Sequence, residues 1–223
     1  MSCITPDLVR GIEPSGPTDP IAYYRRPLVG WLYRERINRG LRLLPKRSFG
    51  PVLEVGYGSG TVLLALAESC RELHGIDLDA EPASVAPVLG RRGVQAELVR
   101  GSVCELPYEA ERFELCVSFS VFEHLTDYRR ALAEVSRVLA PGGLFLLGMP
   151  SVNRMMEVGF RLLGFRGISD HHVTTPAQVS AGFGEAGLEP VTARHLDLPL
   201  GRPLGLRLYY DWLLRKRPKP LSP

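Results

Sequence analysis

Short apolar runs recur along the middle of the chain, and segments with helical spacing separate them. Apolar runs of about four to eight residues bounded by glycine, proline or charged residues indicate buried strands. The predicted strands are residues 52–55, 73–77, 94–99, 113–119 and 144–149. The predicted helices between them are residues 61–68, 81–92 with an interruption near Pro87, and 127–139. This alternation is typical of a doubly wound α/β fold with a mostly parallel sheet.

The N-terminal part of the chain departs from this alternation. Residues 1–20 contain four prolines and indicate an irregular arm. Residues 23–44 place apolar side chains on one helical face and arginines on the other, so they predict an amphipathic helix. Three roles fit this helix: packing against the domain, covering a ligand as a lid, and contacting a membrane surface through Trp31.

A long link follows the fifth predicted strand. Residues 151–175 mix methionine, phenylalanine and leucine with arginine, and such a link at the carboxyl edge of a sheet is where an α/β fold places substrate contacts. A helix over residues 176–186 and a strand over residues 188–195 are predicted next. The segment from Leu204 onward fits either a strand or a short helix.

The charge of the chain is unevenly distributed. The net charge is +3, which is too small to indicate a specific nucleic-acid partner. Residues 23–47 contain eight basic side chains and one acidic side chain, and residues 194–223 contain seven and two. The stretch 48–193 contains 11 and 18, a net of −7. Two interpretations stay open: solvated helix faces, and a surface for an anionic acceptor or membrane.

The cysteines and the hydropathy predict a chain that lacks disulfides and transmembrane helices. Cys70 and Cys116 lie in apolar contexts, which favours buried free thiols over zinc ligands. The first residues lack the charged start and apolar run of a signal peptide. No stretch approaches the roughly 18 consecutive apolar residues of a membrane span. We therefore expect a cytoplasmic location, with peripheral membrane contact left open.

A glycine-rich turn follows the first predicted strand. Gly56, Gly58 and Gly60 alternate directly after it, and glycine lets the backbone turn sharply and approach a ligand closely. The helix after the turn points free N–H groups at that ligand. The second predicted strand ends in Asp77, 21 residues after Gly56, where an acid accepts hydrogen bonds from a ribose. These features predict a nucleotide-binding βαβ unit.

The string from Glu54 to Gly60 resembles the first motif of the class I S-adenosylmethionine-dependent methyltransferases. The dinucleotide fingerprint differs because its third glycine comes one position later. Segments 118–125 and 137–145 are similar to the family's blocks around its fourth and fifth strands. The resemblance is to the small-molecule, type 11-like branch and covers well over half of the chain. It implies a seven-stranded Rossmann-like sheet with an antiparallel last strand.

We expect three parts in the chain. They are an N-terminal arm and helix or lid at residues 1–47, the S-adenosylmethionine-binding domain at residues 48–198 with an acceptor-side insertion at 151–175, and a C-terminal element with a basic tail at residues 199–223.

The same resemblance assigns the cofactor contacts. Glu54 would lie near the methionine amino group, Asp77 would hold the ribose hydroxyls, and Leu78 would pack on the adenine. The implied set is Glu54, Gly56, Tyr57, Gly58, Gly60, Asp77, Leu78, Gly101, Ser102, Val103, Ser118 and Phe119. Ser102 departs from the family, which usually has an acid there to accept from the adenine amino group. Glu105 is a candidate to compensate.

Three histidines are candidate catalytic residues. His124 follows the fourth predicted strand, and His171 and His172 lie on the link to the next helix. With a pKa near 6.5, a histidine can remove a proton from an oxygen or nitrogen acceptor. Pocket shaping and helix-entry hydrogen bonding are the alternative roles. Adjacent side chains diverge, so His171 and His172 alone predict no metal site.

The sequence thus predicts a methyltransferase that uses S-adenosylmethionine and moves a methyl group to oxygen, nitrogen or carbon of a small, partly apolar acceptor. A monomer or homodimer is expected. The alternatives are a non-catalytic cofactor-binding scaffold or sensor, a protein or nucleic-acid methyltransferase, and a nicotinamide-dependent oxidoreductase, which the early third glycine disfavours.

Overall fold

The apolar runs pair into one sheet. The computed structural model describes residues 3–16, 19–151, 172–197 and 207–218. Within these residues the strands are β1 (Phe49–Val55), β2 (Cys70–Asp77), β3 (Glu97–Arg100), β4 (Phe113–Phe119), β5 (Leu139–Pro150), β6 (Leu188–Asp197) and β7 (Arg207–Lys216). Their spatial order is β3-β2-β1-β4-β5-β7-β6. The five strands from β3 to β5 are parallel, and β7 runs antiparallel to both of its neighbours.

Helices connect the strands and cover both faces of the sheet. They are α1 (Ile21–Tyr24), α2 (Pro27–Leu41), α3 (Thr61–Leu66), α4 (Pro82–Gly90), α5 (Tyr128–Val138) and α6 (Pro176–Ala181), with 3₁₀ turns at Ala67–Ser69 and Phe122–His124. The doubly wound, mostly parallel seven-stranded fold predicted from the sequence is therefore confirmed over the described part of the chain. The antiparallel last strand is confirmed as well.

Several elements differ from the predicted bounds for local reasons. The helix predicted over residues 23–44 is two helices, because Pro27 has no N–H to extend α1 and the preceding Arg26 is extended at ψ 145°. The interruption predicted near Pro87 is wrong, because α4 continues through this proline as one helix. The helix predicted over residues 176–186 ends at Ala181, and turns follow it.

The open choice for the segment after Leu204 is resolved as a strand. β7 pairs along its length with β5 and with β6, so its identity depends on partners that lie far away in sequence. The third strand begins at Glu97, three residues later than predicted, and the second begins at Cys70, three residues earlier. The second strand ends at Asp77 as predicted, and the third ends at Arg100, one residue later than predicted.

Two apolar clusters hold the sheet between its helices. One contains Ile37 and Leu41 of α2 together with Leu63 of α3, and the other contains Leu132 and Val135 of α5. α2 therefore packs against the sheet face near β5 and β7. Trp31 of the same helix is exposed.

Across the described residues, every helix is too short or too polar to cross a bilayer. The boundaries expected near residues 47 and 198 stay predictions. The link at residues 151–175 lies mostly outside the described residues, which resume at His172.

Candidate active site

One cavity of about 990 Å³ opens where β1, β2 and β4 end at the carboxyl edge of the sheet. Its walls come from the turns after these strands, from α1 and α2, and from the start of β7. The predicted site residues that line it are Glu54, Gly56, Tyr57, Gly58, Asp77, Leu78, Gly101, Ser102, Val103, Phe119, His124 and His172. The structure thus brings together most of the cofactor residues implied by the resemblance.

The glycine turn passes very close to the turn after β4. Gly56 has φ +80°, and a Cβ added there would overlap the Val121 Cγ2 methyl. Gly58 lies further out, and its N–H donates to Asp77 Oδ2 at 2.8 Å. A side chain at Gly56 is therefore excluded twice, by the left-handed backbone and by the neighbouring methyl group.

The Asp77 carboxylate organises the tips of β1 and β2. Besides the Gly58 bond, Oδ1 accepts from the backbone N–H of Asp79 at 2.8 Å and of Ala80 at 2.9 Å. A carboxylate offers about four acceptor positions, so these three bonds leave one on Oδ2. That oxygen can accept one further hydrogen bond at the cavity wall.

Glu54 is buried beneath the turn and also lines the cavity. Its Oε2 has no hydrogen-bond partner among the residues that the structure describes. Burial raises the pKa of Glu54, the nearby Asp77 charge raises it further, and a backbone hydrogen bond from Leu63 opposes both. A buried carboxylate with an unfilled oxygen is suited to a cationic ligand group.

The cavity wall beyond Asp77 is formed by Leu78, Gly101, Ser102 and Val103. The Leu78 side chain is 62% exposed, which leaves an apolar face available to a flat ring. Ser102 Oγ already accepts from the Cys104 N–H at 3.1 Å. Glu105, the candidate to compensate for the missing acid, instead forms an ion pair with Arg130 at 3.6 Å and does not line the cavity.

Four residues of the predicted set stand apart from the rest. Gly60 caps the start of α3 with φ +79° and does not line the cavity, nor does the fully buried Ser118. The Tyr57 hydroxyl points inward and donates to the Ala80 carbonyl at 3.0 Å, although the residue lies on the cavity wall. His171 lies outside the described residues.

Sequence reasoning missed a cluster of tyrosines around one arginine. Arg36 of α2 lines the cavity, with its guanidinium carbon 4.3 Å from the Tyr33 ring centroid and 5.3 Å from that of Tyr209. Its Nη2 lies 3.4 Å from the Tyr24 hydroxyl. We call Tyr24, Tyr33, Arg36 and Tyr209 the arginine–tyrosine wall. The amphipathic pattern assigned the arginines of this helix to solvent, so it concealed Arg36.

The turn after β4 joins this wall to the histidines. Ser120 has φ +57°, unusual for a non-glycine residue, and its hydroxyl lies 2.9 Å from the Tyr209 hydroxyl. Glu123 is 1% exposed, and burial raises its pKa to about 8, although its hydrogen bonds and the Arg36 charge oppose this shift. The His124 and His172 rings lie 5.2 Å apart, between centroids.

This chain is similar to known proteins in sequence and in fold. Residues 53–147 match a family model described as a methyltransferase domain. A "Probable S-adenosylmethionine-dependent methyltransferase" of Mycolicibacterium smegmatis is 37% identical over 100 residues, which are 45% of this chain and 38% of that relative. The chain therefore spans about two-fifths of the length of that relative.

Two further matches cover more of the chain. A "Ubiquinone biosynthesis O-methyltransferase" of Bordetella avium is 28% identical over 156 residues, which are 66% of this chain and 65% of that protein. The crystal structure of the YcgJ protein from Bacillus subtilis superposes with a TM-score of 0.62 at 18% identity, covering 82% of this chain and 98% of that one. These matches confirm the resemblance to S-adenosylmethionine-dependent methyltransferases, and the superposition confirms the fold.

Proposed function

We propose, on the premise that this chain belongs to the S-adenosylmethionine-dependent methyltransferase family over residues 53–147, that it methylates an oxygen of a small anionic acceptor. One observation supports this proposal above the others. A single cavity joins the glycine turn, Glu54 and Asp77 to the arginine–tyrosine wall. A donor pocket and an acceptor pocket are therefore continuous, as direct group transfer requires.

The residues of the donor half fit the cofactor. Glu54 Oε2, buried and without a partner in the described chain, would accept from the cationic amino group. The remaining position on Asp77 Oδ2 would accept from a ribose hydroxyl, and the exposed face of Leu78 would pack on the adenine. The adenine edge would border Gly101, Ser102 and Val103.

When bound, the cofactor supplies an electrophilic methyl group on a sulfonium sulfur. The protein's own task is to hold the acceptor oxygen in line and to exclude water, which can lower the barrier by about 7–11 kcal/mol at best. Arg36 would bind the negative group of the acceptor, and the tyrosine rings would pack on its apolar part. His124 and His172 also line the cavity and would contact the acceptor near its reacting oxygen.

The acceptor class is inferred from charge and shape. Arg36 is a cation at the cavity wall, and its Nε has no hydrogen-bond partner among the residues described. Burial raises the pKa of Glu123, and within the described residues the structure shows no ion pair between Glu123 and Arg36. Aromatic rings surround the guanidinium, which favours a planar molecule with a carboxylate, phosphate or enolate group. The O-methyltransferase name of the Bordetella relative agrees with an oxygen acceptor.

Isothermal titration with S-adenosylhomocysteine tests the donor half. We expect binding to the native protein and a loss of about 10- to 150-fold in Asp77→Asn, since a hydrogen bond to a charged group is worth about 1.5–3 kcal/mol. Asp197→Asn is the matched control because Asp197 also ends a strand but lies outside the cavity wall. Absence of binding to the native, folded protein would refute the proposal.

One observation favours a second candidate, a cofactor-binding scaffold or sensor that does not transfer methyl groups. The acid usual at position 102 is replaced by a serine whose oxygen is already engaged by the Cys104 N–H. Transfer of labelled methyl groups to any component of a cell extract would exclude the scaffold. Label recovered in macromolecules, and not in the small-molecule fraction, would favour the protein or nucleic-acid alternative.

A further inference from the structure

Glu123, His124 and His172 form a cluster at the acceptor end of the cavity. One ligand atom from each lies within 4.8 Å of the other two, and Glu123 Oε1 lies 3.9 Å from His124 Nε2. All three residues line the cavity. The two histidines come from segments almost fifty positions apart, so the fold, and not chain proximity, brings them together.

Backbone hydrogen bonds fix the distance between the two segments. The Glu123 carbonyl accepts from the N–H groups of Val173 at 2.8 Å and Thr174 at 3.2 Å. The Thr174 hydroxyl donates to the Leu125 carbonyl at 2.5 Å. The fully buried Phe122 anchors the 3₁₀ turn that ends at His124. The cluster is therefore held by main-chain contacts that do not depend on its side chains.

One carboxyl oxygen of this cluster lacks a hydrogen-bond partner among the described residues, which is consistent with a bound cation. Glu123 is 1% exposed, and within the described chain its Oε2 has no hydrogen-bond partner. A buried carboxyl group with an unpartnered oxygen is costly unless it is protonated, is paired with a cation or coordinates a metal. Arg36 is the nearby cation, but it acts on Glu123 through its charge, and the structure shows no ion pair between them within the described residues.

The donor set selects the class of ion. Two imidazoles and one carboxylate favour a transition metal such as zinc over magnesium or calcium, which prefer oxygen ligands. Three protein ligands leave the fourth position of a tetrahedral ion open, as in catalytic zinc sites. Bonds of about 2.1 Å place neighbouring donor atoms about 3.4 Å apart, so the widest pair, within 4.8 Å, would close by at most about 1.4 Å. The half-exposed His124 side chain has room for that movement.

We propose that Glu123, His124 and His172 bind one divalent transition-metal ion whose open position faces the acceptor pocket. An acceptor oxygen bound there would lie between the metal ion and Arg36, two cations that both favour an oxyanion. The metal would lower the pKa of a bound hydroxyl, so the two histidines would act as ligands, and the proton would pass to solvent. Only this consequence for the acceptor rests on the proposed function; the metal site itself does not.

Cobalt(II) titration of the full chain tests the site directly. We expect one equivalent to bind with the intense visible absorption of a four-coordinate ion, and zinc to displace it. His124→Ala and His172→Ala should each weaken binding by more than the 10–100-fold that loss of an outer-shell partner costs. His195→Gln is the control, because His195 lies in β6 and does not line the cavity.

The outcomes separate the metal site from the proposed function. The metal proposal is overturned by absence of four-coordinate cobalt absorption in the native protein, or by equal losses in the His195 control. S-adenosylhomocysteine binding is measured on the same samples and does not depend on this result. Glu123→Gln changes a buried residue, so the two histidine variants, with their melting temperatures recorded, decide the question.

Discussion

The replacement Gly56→Ala tests whether close contact between two turns shapes the donor half of the cavity. Gly56 has φ +80°, and an alanine Cβ would overlap the Val121 Cγ2 methyl. The left-handed backbone costs a residue with a Cβ about 1–2 kcal/mol. Overlap in a well-packed site costs about 1–3 kcal/mol more. We therefore expect Gly56→Ala to lower the free energy of unfolding by about 2–5 kcal/mol.

A matched glycine separates these two contributions. Gly93 has φ +71°, and a Cβ added there meets no atom within 4 Å. Gly93→Ala therefore has the backbone cost without the overlap. The difference between the two variants should be the overlap alone, about 1–3 kcal/mol. Urea unfolding followed by circular dichroism gives both free energies on one scale, provided that the dependence on denaturant is unchanged.

Removing the opposing methyl groups should restore most of the difference. In a double-mutant cycle with Val121→Ala, we expect a coupling energy of about 1–3 kcal/mol in the rescuing direction. Gly56→Ala alone should also weaken S-adenosylhomocysteine binding, because the turn must move away from Val121. Equal destabilisation by Gly56→Ala and Gly93→Ala, together with zero coupling, would refute the argument that the two turns are in contact.

Two further predictions concern charged side chains of the cavity. Arg36→Gln should leave S-adenosylhomocysteine affinity within about twofold but slow methyl transfer to the small-molecule fraction of an extract by about 10- to 150-fold. The surface control Arg42→Gln should change neither the affinity nor the rate. An unchanged rate in Arg36→Gln would contradict the acceptor assignment. Glu54→Gln should weaken binding of the cofactor product by a similar factor. Since burial raises the folded pKa of Glu54 above its ordinary 4.5, its contribution to stability is present below that value and is lost as pH rises. Melting temperatures of the ligand-free protein should therefore fall less between pH 5 and 8 in Glu54→Gln than in the native chain, and identical curves would count against this assignment.

The donor half of the site could be predicted because its signals are local. Glu54, the glycine turn and Asp77 lie within 24 positions of sequence, and each residue type has a physical reason for its place. Two members of the predicted set contribute indirectly or not at all to the cavity wall. Gly60 serves the start of α3, and Ser118 is buried within β4. A motif identifies the turn, but it does not distinguish residues that line a cavity from those that support it.

His124 and His172 were predicted, but most of the acceptor half could not be, because it is assembled from distant segments. Arg36 comes from α2, Tyr209 from β7, and His172 from the far side of the link at residues 151–175. Periodicity placed the arginines of α2 on a solvated face, but the face near Arg36 is covered by tyrosine rings. Tyr209 lies at the cavity because its segment is a strand, and that strand depends on pairing with β5 and β6, which the local sequence does not reveal.

Both halves of the cavity contain a buried carboxyl group with an oxygen that has no hydrogen-bond partner among the described residues. Burial alone, however, does not make such a group a ligand-binding site. Glu54 lies at the donor end and Glu123 at the acceptor end, and each has one buried oxygen without a partner among the described residues. Asp211 of β7 is fully buried too, with both oxygens in the same state, and burial raises its pKa. Asp211, however, does not line the cavity in the described part of the chain, and protonation is its simplest relief. Glu54 and Glu123 differ from Asp211 because both line the cavity. A cation can approach Glu54 and Glu123 from the cavity, and we therefore infer an ammonium group at one end and a metal ion at the other.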